Sequence, residues 1–124
     1  MRKGVILANG DLHYWNVKKL FDGLVNENDT LILWVDSGIP NDKVVTYCLN
    51  NKVKLELFHS GFNYATDPFK YANQLNDFKG KCNEIHLLFH FFYGKKLNLI
   101  KDYFDANNIK HKDFDVGYDE FDYS

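Results

Sequence analysis

The chain has 124 residues, 45% hydrophobic and 17% aromatic, enough to bury one substantial core and too few for a second of ordinary size, which excludes wholesale disorder. A formal net charge of −2 leaves no electrostatic footprint for duplex nucleic acid. The opening apolar run of MRKGVILANGD is too short for a secretory leader and no stretch is apolar enough to span a bilayer. The expectation is a cytoplasmic protein without a membrane partner.

Arg2 is the sole arginine among fifteen basic residues, so an anionic ligand must be held by backbone N–H groups or lysine rather than by guanidinium clamps. Cys48 and Cys82 stand apart, without metal-ligand spacing; Cys48 falls on an apolar helical face, which favours a reduced, packed thiol.

In chain order, a first strand is expected near 4–9 (VILAN), ending in Asn9 and Gly10 and followed by Asp11, His13, Tyr14 and Trp15. A helix near 13–26 carries Val17, Leu20, Phe21 and Leu24 as one stripe, with Asp11 as its expected cap. A second strand near 30–36 (LILWV) ends in Asp36 and Ser37, and a helix near 41–51 aligns Val44, Val45, Cys48 and Leu49. The third strand, near 52–59 (VKLELF), alternates charged and apolar residues and ends in His59 and Ser60, with Asn63 just beyond. Asp67 before Pro68 marks the start of a helix near 67–79. A fourth strand near 84–92 (HLLFHFF) sets His86 and His90 on one face, His90 nearer the strand's end. Tyr93, Gly94, Lys95 and Lys96 lead from it into a helix near 95–107, with Leu97, Ile100 and Phe104 on one side. A poorer fifth strand near 109–115 precedes an acidic, aromatic tail at about 117–124, whose Tyr118, Phe121 and Tyr123 can dock on the domain or on another protomer.

Such βα alternation with short connections predicts a single three-layer α/β domain over residues 1–124, with a mostly parallel five-stranded sheet flanked by helices. VKLELF and IKHKDF are polar on one face, as edge strands are, whereas VILAN, LILWV and LLFHFF are nearly all apolar, as strands covered on both faces are. This favours the order 3-2-1-4-5, a Rossmann-like arrangement, over the flavodoxin-like 2-1-3-4-5. In the first order the chain reverses direction between strands 1 and 4, where open α/β sheets hold ligands beyond their carboxyl ends.

All strand endings gather on that edge. It would carry Asn9, Gly10, Asp11, His13, Tyr14, Asp36, Ser37, His59, Ser60, His90, Tyr93, Gly94 and Lys95. Glycine turns let a ligand approach the backbone, rings stack on planar groups, and an Asp near a His orients an imidazole. The leading expectation is binding of a small polar, nucleotide-like ligand. A second reading is a small hydrolase or transferase in which Asp11 or Asp36 orients His90 or His13 as acid and base. A third is a protein-interaction or oligomerisation module, and a homo-oligomer is compatible with all three. No nucleophile or metal signature is present, GxxxxGK[ST], GxGxxG, GxSxG and HExxH are all absent, and the sequence names no cofactor.

Overall fold

Strands form where apolar residues fill both sides of the pleat. In a computed structural model, described at residues 1–7, 16–35, 42–59, 68–89 and 95–115, the elements follow the order β1 (Arg2–Leu7), α1 (Val17–Phe21), β2 (Thr30–Val35), α2 (Asp42–Asn50), β3 (Lys54–His59), α3 (Pro68–Gly80), β4 (Glu84–Phe89), α4 (Lys95–Ala106) and β5 (Lys112–Asp115). The five strands make one all-parallel sheet in the order β3-β2-β1-β4-β5. The alternative 2-1-3-4-5 order is therefore set aside: β1 is bonded to β2 through pairs such as Val5 with Leu33, and to β4 through pairs such as Val5 with His86. No helix among the described residues is long and apolar enough to cross a membrane.

Successive residues on the central strands enter opposite cores, as the two-residue pleat requires. Val5, Leu31, Leu33 and Leu88 lie in one core with Val17, Leu20 and Phe21 of α1 and Val44 and Cys48 of α2. Ile6, Ile32, Trp34 and Leu87 lie in the other with Leu75 and Phe78 of α3 and Leu97, Ile100 and Phe104 of α4. Each fully buried Leu, Ile or Phe contributes roughly 1.5–3 kcal/mol relative to an exposed one. Helix α3 approaches β1 so closely that a Cβ on Gly4 would stand 2.8 Å from Phe78 Cζ and closer still to Cys82 Sγ; only glycine fits there. The edge strands are the two read as edges from their composition: β3 exposes Lys54, Glu56 and His59, and β5 exposes Lys112 and Asp113.

Two helices end in the same motif. Val53 N–H donates to Cys48 O and Ile109 N–H to Phe104 O, with Lys52 (φ 55°) and Asn108 (φ 56°) in the left-handed region between them. This closes the last turns of α2 and α4, and it tucks the buried Val53 and Ile109 against them. It also explains why β3 starts at Lys54 and β5 at Lys112, later than the apolar pattern predicts: the intervening residues belong to the helix ends. The first helix is likewise shorter than its stripe, stopping at Phe21. Leu24 O is taken by Lys3 Nζ (2.9 Å) and Asn26 N–H by Asp29 Oδ2 (2.8 Å), so the chain turns down onto the sheet's amino edge.

Lys3 and Asp29 are both buried, and their charged ends meet at 2.8 Å. The Lys3 ammonium, helped by Asn26 N–H and the Met1 amine and opposed by burial, holds Asp29 down at about 2 against an ordinary value of 3.8. A carboxyl whose pKa is depressed on folding stabilises the fold above its unfolded pKa and loses that contribution as pH falls through the folded one. Asp29→Asn should therefore flatten the acid limb of stability between about pH 4 and 2, and should cost about 3 kcal/mol at neutral pH by leaving Lys3 buried without a counter-charge. Urea unfolding across pH checks both.

Candidate functional site

Since all five strands run the same way, Leu7, Val35, His59, Phe89 and Asp115 end on one edge. The helices return against the strands, so Val17, Asp42, Pro68 and Lys95 begin at that edge too. The chain winds one way from β1 to β3 and the other way from β4 to β5, which makes the β1/β4 boundary the switch point. There Leu7 pairs with Leu88, one residue before the end of β4.

Two of the residues expected at the site fall within the described parts. His59 is the exposed last residue of β3, in register with Val35 and two strand spacings from the β1/β4 boundary, roughly 10 Å. Lys95 opens α4, whose first turn holds no acidic residue. Asn9, Gly10, Asp11, His13, Tyr14, Asp36, Ser37, Ser60, Asn63, His90, Tyr93 and Gly94 lie outside the described residues, as does the tail from 116 to 124. By chain order, Asp36, Ser60 and His90 each directly follow a strand's last residue, and Asn9 follows β1 by two.

The structure corrects one role. The cap of α1 is Asn16, whose Oδ1 accepts from Lys19 N–H at 3.1 Å, and not Asp11. The sequence carries the signal in N-x-x-K directly before the apolar stripe, four residues later than the stripe's apparent start. Asp11 is thereby relieved of the structural duty that competed with a ligand role.

His86 and the sole arginine are also accounted for. His86 sits in mid-strand beside Val5, 4% exposed, with Nε2 3.1 Å from Glu84 Oε2. Burial, only partly offset by Glu84, holds its pKa below the ordinary histidine value. It is a sealed structural group, foreshadowed by the E-x-H spacing that puts both side chains on one strand face. Arg2 lies at the amino edge, opposite the candidate site. Its guanidinium makes two bonds to Glu56, 3.0 and 2.7 Å, and Nε donates to Lys81 O at 2.7 Å. The Cys82 thiol, pushed up to about 11 chiefly by burial, and the Cys48 thiol, raised by burial, are packing groups rather than nucleophiles.

A groove separates α1 from α2 on the outer face of the domain. One cavity of about 560 Å³ runs past Asn16, Thr46 and Asn50, and a second of about 320 Å³ past Asn26 and Lys52; Tyr47 lines both. Tyr47 OH donates to Asp22 Oδ1 at 3.0 Å, and Lys18 Nζ meets Asp22 Oδ2 at 2.6 Å. Burial and the Asp22 carboxylate push Tyr47 up to about 12, so its hydroxyl stays neutral and already committed. This groove offers hydrogen bonds without an acid or base poised for proton transfer. Among the described residues no group of three His, Cys, Asp or Glu side chains could hold a metal ion.

No family model, curated protein or solved structure matches the chain. The site reading therefore rests on this chain's own topology and residues.

Separating cap from ligand contact yields a test. Asn16→Ala should lower stability by about 1 kcal/mol through loss of the α1 cap, whereas Asp11→Ala should leave it within about 0.5 kcal/mol of the parent. Urea denaturation of the two variants side by side measures the contrast.

Proposed function

We propose that this chain binds a small polar, nucleotide-like molecule at the carboxyl edge of its sheet, over the β1/β4 boundary. The observation that carries the reading is the strand order β3-β2-β1-β4-β5, because reversal between β1 and β4 sends their following segments apart and opens a crevice at the strand ends. The segments that leave those two strands contain Asn9, Gly10, Asp11 and His13 on one side and His90, Tyr93 and Gly94 on the other. Amide, carboxylate and imidazole can divide the hydrogen-bonding edges of a base or sugar, and tyrosine can stack on a planar ring. Lys95 and the free N–H groups at the start of α4 supply positive potential for an anionic group, a role no guanidinium can take while Arg2 is held by Glu56.

Protein purified without denaturation should retain a small molecule in stoichiometric amount, identifiable by mass spectrometry after release. Asp11→Ala and His90→Ala should each retain about tenfold less, with melting temperatures unchanged. A parent protein that carries nothing and binds no nucleotide when titrated, or variants that lose their fold instead of their ligand, would contradict the reading. A released molecule that the protein converts on incubation would assign turnover to the same edge.

A further inference from the structure

The two edges of the sheet are finished in different ways. At the β5 edge, α4 turns Tyr103 toward α3, where its hydroxyl lies 3.1 Å from Asn76 Nδ2. The opposite flank of α4 carries Lys101 and Asp105, and it is tied to the edge strand by charge. Lys101 Nζ lies 3.1 Å from Asp113, and His111 Nε2 lies 3.1 Å from Asp113 and 3.4 Å from Asp105. β5 itself is four residues long. A short edge strand laced with charges resists pairing with another chain.

The β3 edge has neither device. β3 is six residues long and pairs only with β2 among the described residues, leaving one row of main-chain donors and acceptors unpaired. Above it, α2 faces α1 with Thr46, Tyr47 and Asn50, which line the groove. At 100° per residue, the opposite flank, overhanging β3, carries Val45 and Leu49. Leu49 is 76% exposed, the most exposed large apolar side chain in the described structure. Leu55 and Leu57, only half-buried, continue the apolar strip along the same face of β3. On the other face, Lys54 and Glu56 alternate, and Glu56 is fixed in place by Arg2.

We propose that the flank formed by β3 and α2 is an interface with a second copy of this chain, the two β3 strands pairing antiparallel about a two-fold axis at Leu55. A two-fold interface must be self-complementary, and this strip is so in that register. Lys54 of each copy faces Glu56 of the other, while Leu55 meets Leu55 on the opposite face. Helix α2 ends at Asn50, three residues before β3 begins to climb from its first positions, so Leu49 stands level with the start of β3, close to the axis. The pairing completes the ladder row and buries the strip, forming a continuous sheet of ten strands from two sets of five.

Size-exclusion chromatography with light scattering on the full chain should give twice the 14.6 kDa chain mass. Leu49→Asp puts a carboxylate at the axis on a side chain that is not part of the core, and Lys54→Glu sets like charges opposite each other at Glu56. Each should weaken self-association by at least about tenfold and return the mass to that of one chain, with an unchanged far-ultraviolet circular dichroism spectrum. A parent chain that runs as a monomer, or a dimer that either folded variant leaves intact, overturns the proposal.

Discussion

β1 holds one residue in each core and one neighbour on each side. Val5 and Ile6, adjacent in the chain, are 0% and 1% exposed, sealed by different pairs of helices. The strand binds β2 on one side and β4 on the other, so both halves of the fold are joined through it. At Gly4 it admits Phe78 and Cys82 so closely that no side chain fits. Parallel pairing on both sides of β1 forces the connecting helices onto both faces, and it brings the ends of all five strands to one edge. The candidate site, the covered cores and the two differently finished edges are consequences of that arrangement.

The polar interior is concentrated at the opposite, amino edge. There Lys3 meets Asp29, Arg2 clamps Glu56, and His86 is held by Glu84, which Lys112 also approaches at 3.4 Å. These pairs bind the starts of β1, β3, β4 and β5 and the turn before β2 to one another. They leave the carboxyl edge free of such structural commitments among the described residues, and the chain's only guanidinium is used far from where a ligand would sit. Stability at one edge and chemistry at the other is the division that βα architecture favours, because loops at strand ends can vary without disturbing the pleat.

Much of this was legible in the sequence. Alternation of charged and apolar residues in VKLELF and the polar face of IKHKDF marked the two edge strands, while near-continuous apolar runs marked the central three; together these identify the order β3-β2-β1-β4-β5. What periodicity could not show was set by long-range partners. The α1 stripe runs on to Leu24, but Lys3, 21 residues away, takes the Leu24 carbonyl and ends the helix early. The starts of β3 and β5 were misjudged because Val53 and Ile109, apolar and strand-like by composition, serve as the hydrophobic closures of helix ends. His86 resembled a site residue until its burial beside Glu84 was known, and Asn16 was overlooked because Asp11 stood earlier in the chain with an equally suitable side chain.

The central claim is that the β1/β4 end of the sheet receives the ligand, not the groove between α1 and α2. Backbone amide chemical shifts recorded while adenosine monophosphate is titrated into the isotope-labelled chain test it most directly. The account predicts shifts that cluster at the ends of β1 and β4, the segments following them and the start of α4. Shifts confined to Thr46, Tyr47, Asn50 and their neighbours on α1 would contradict it.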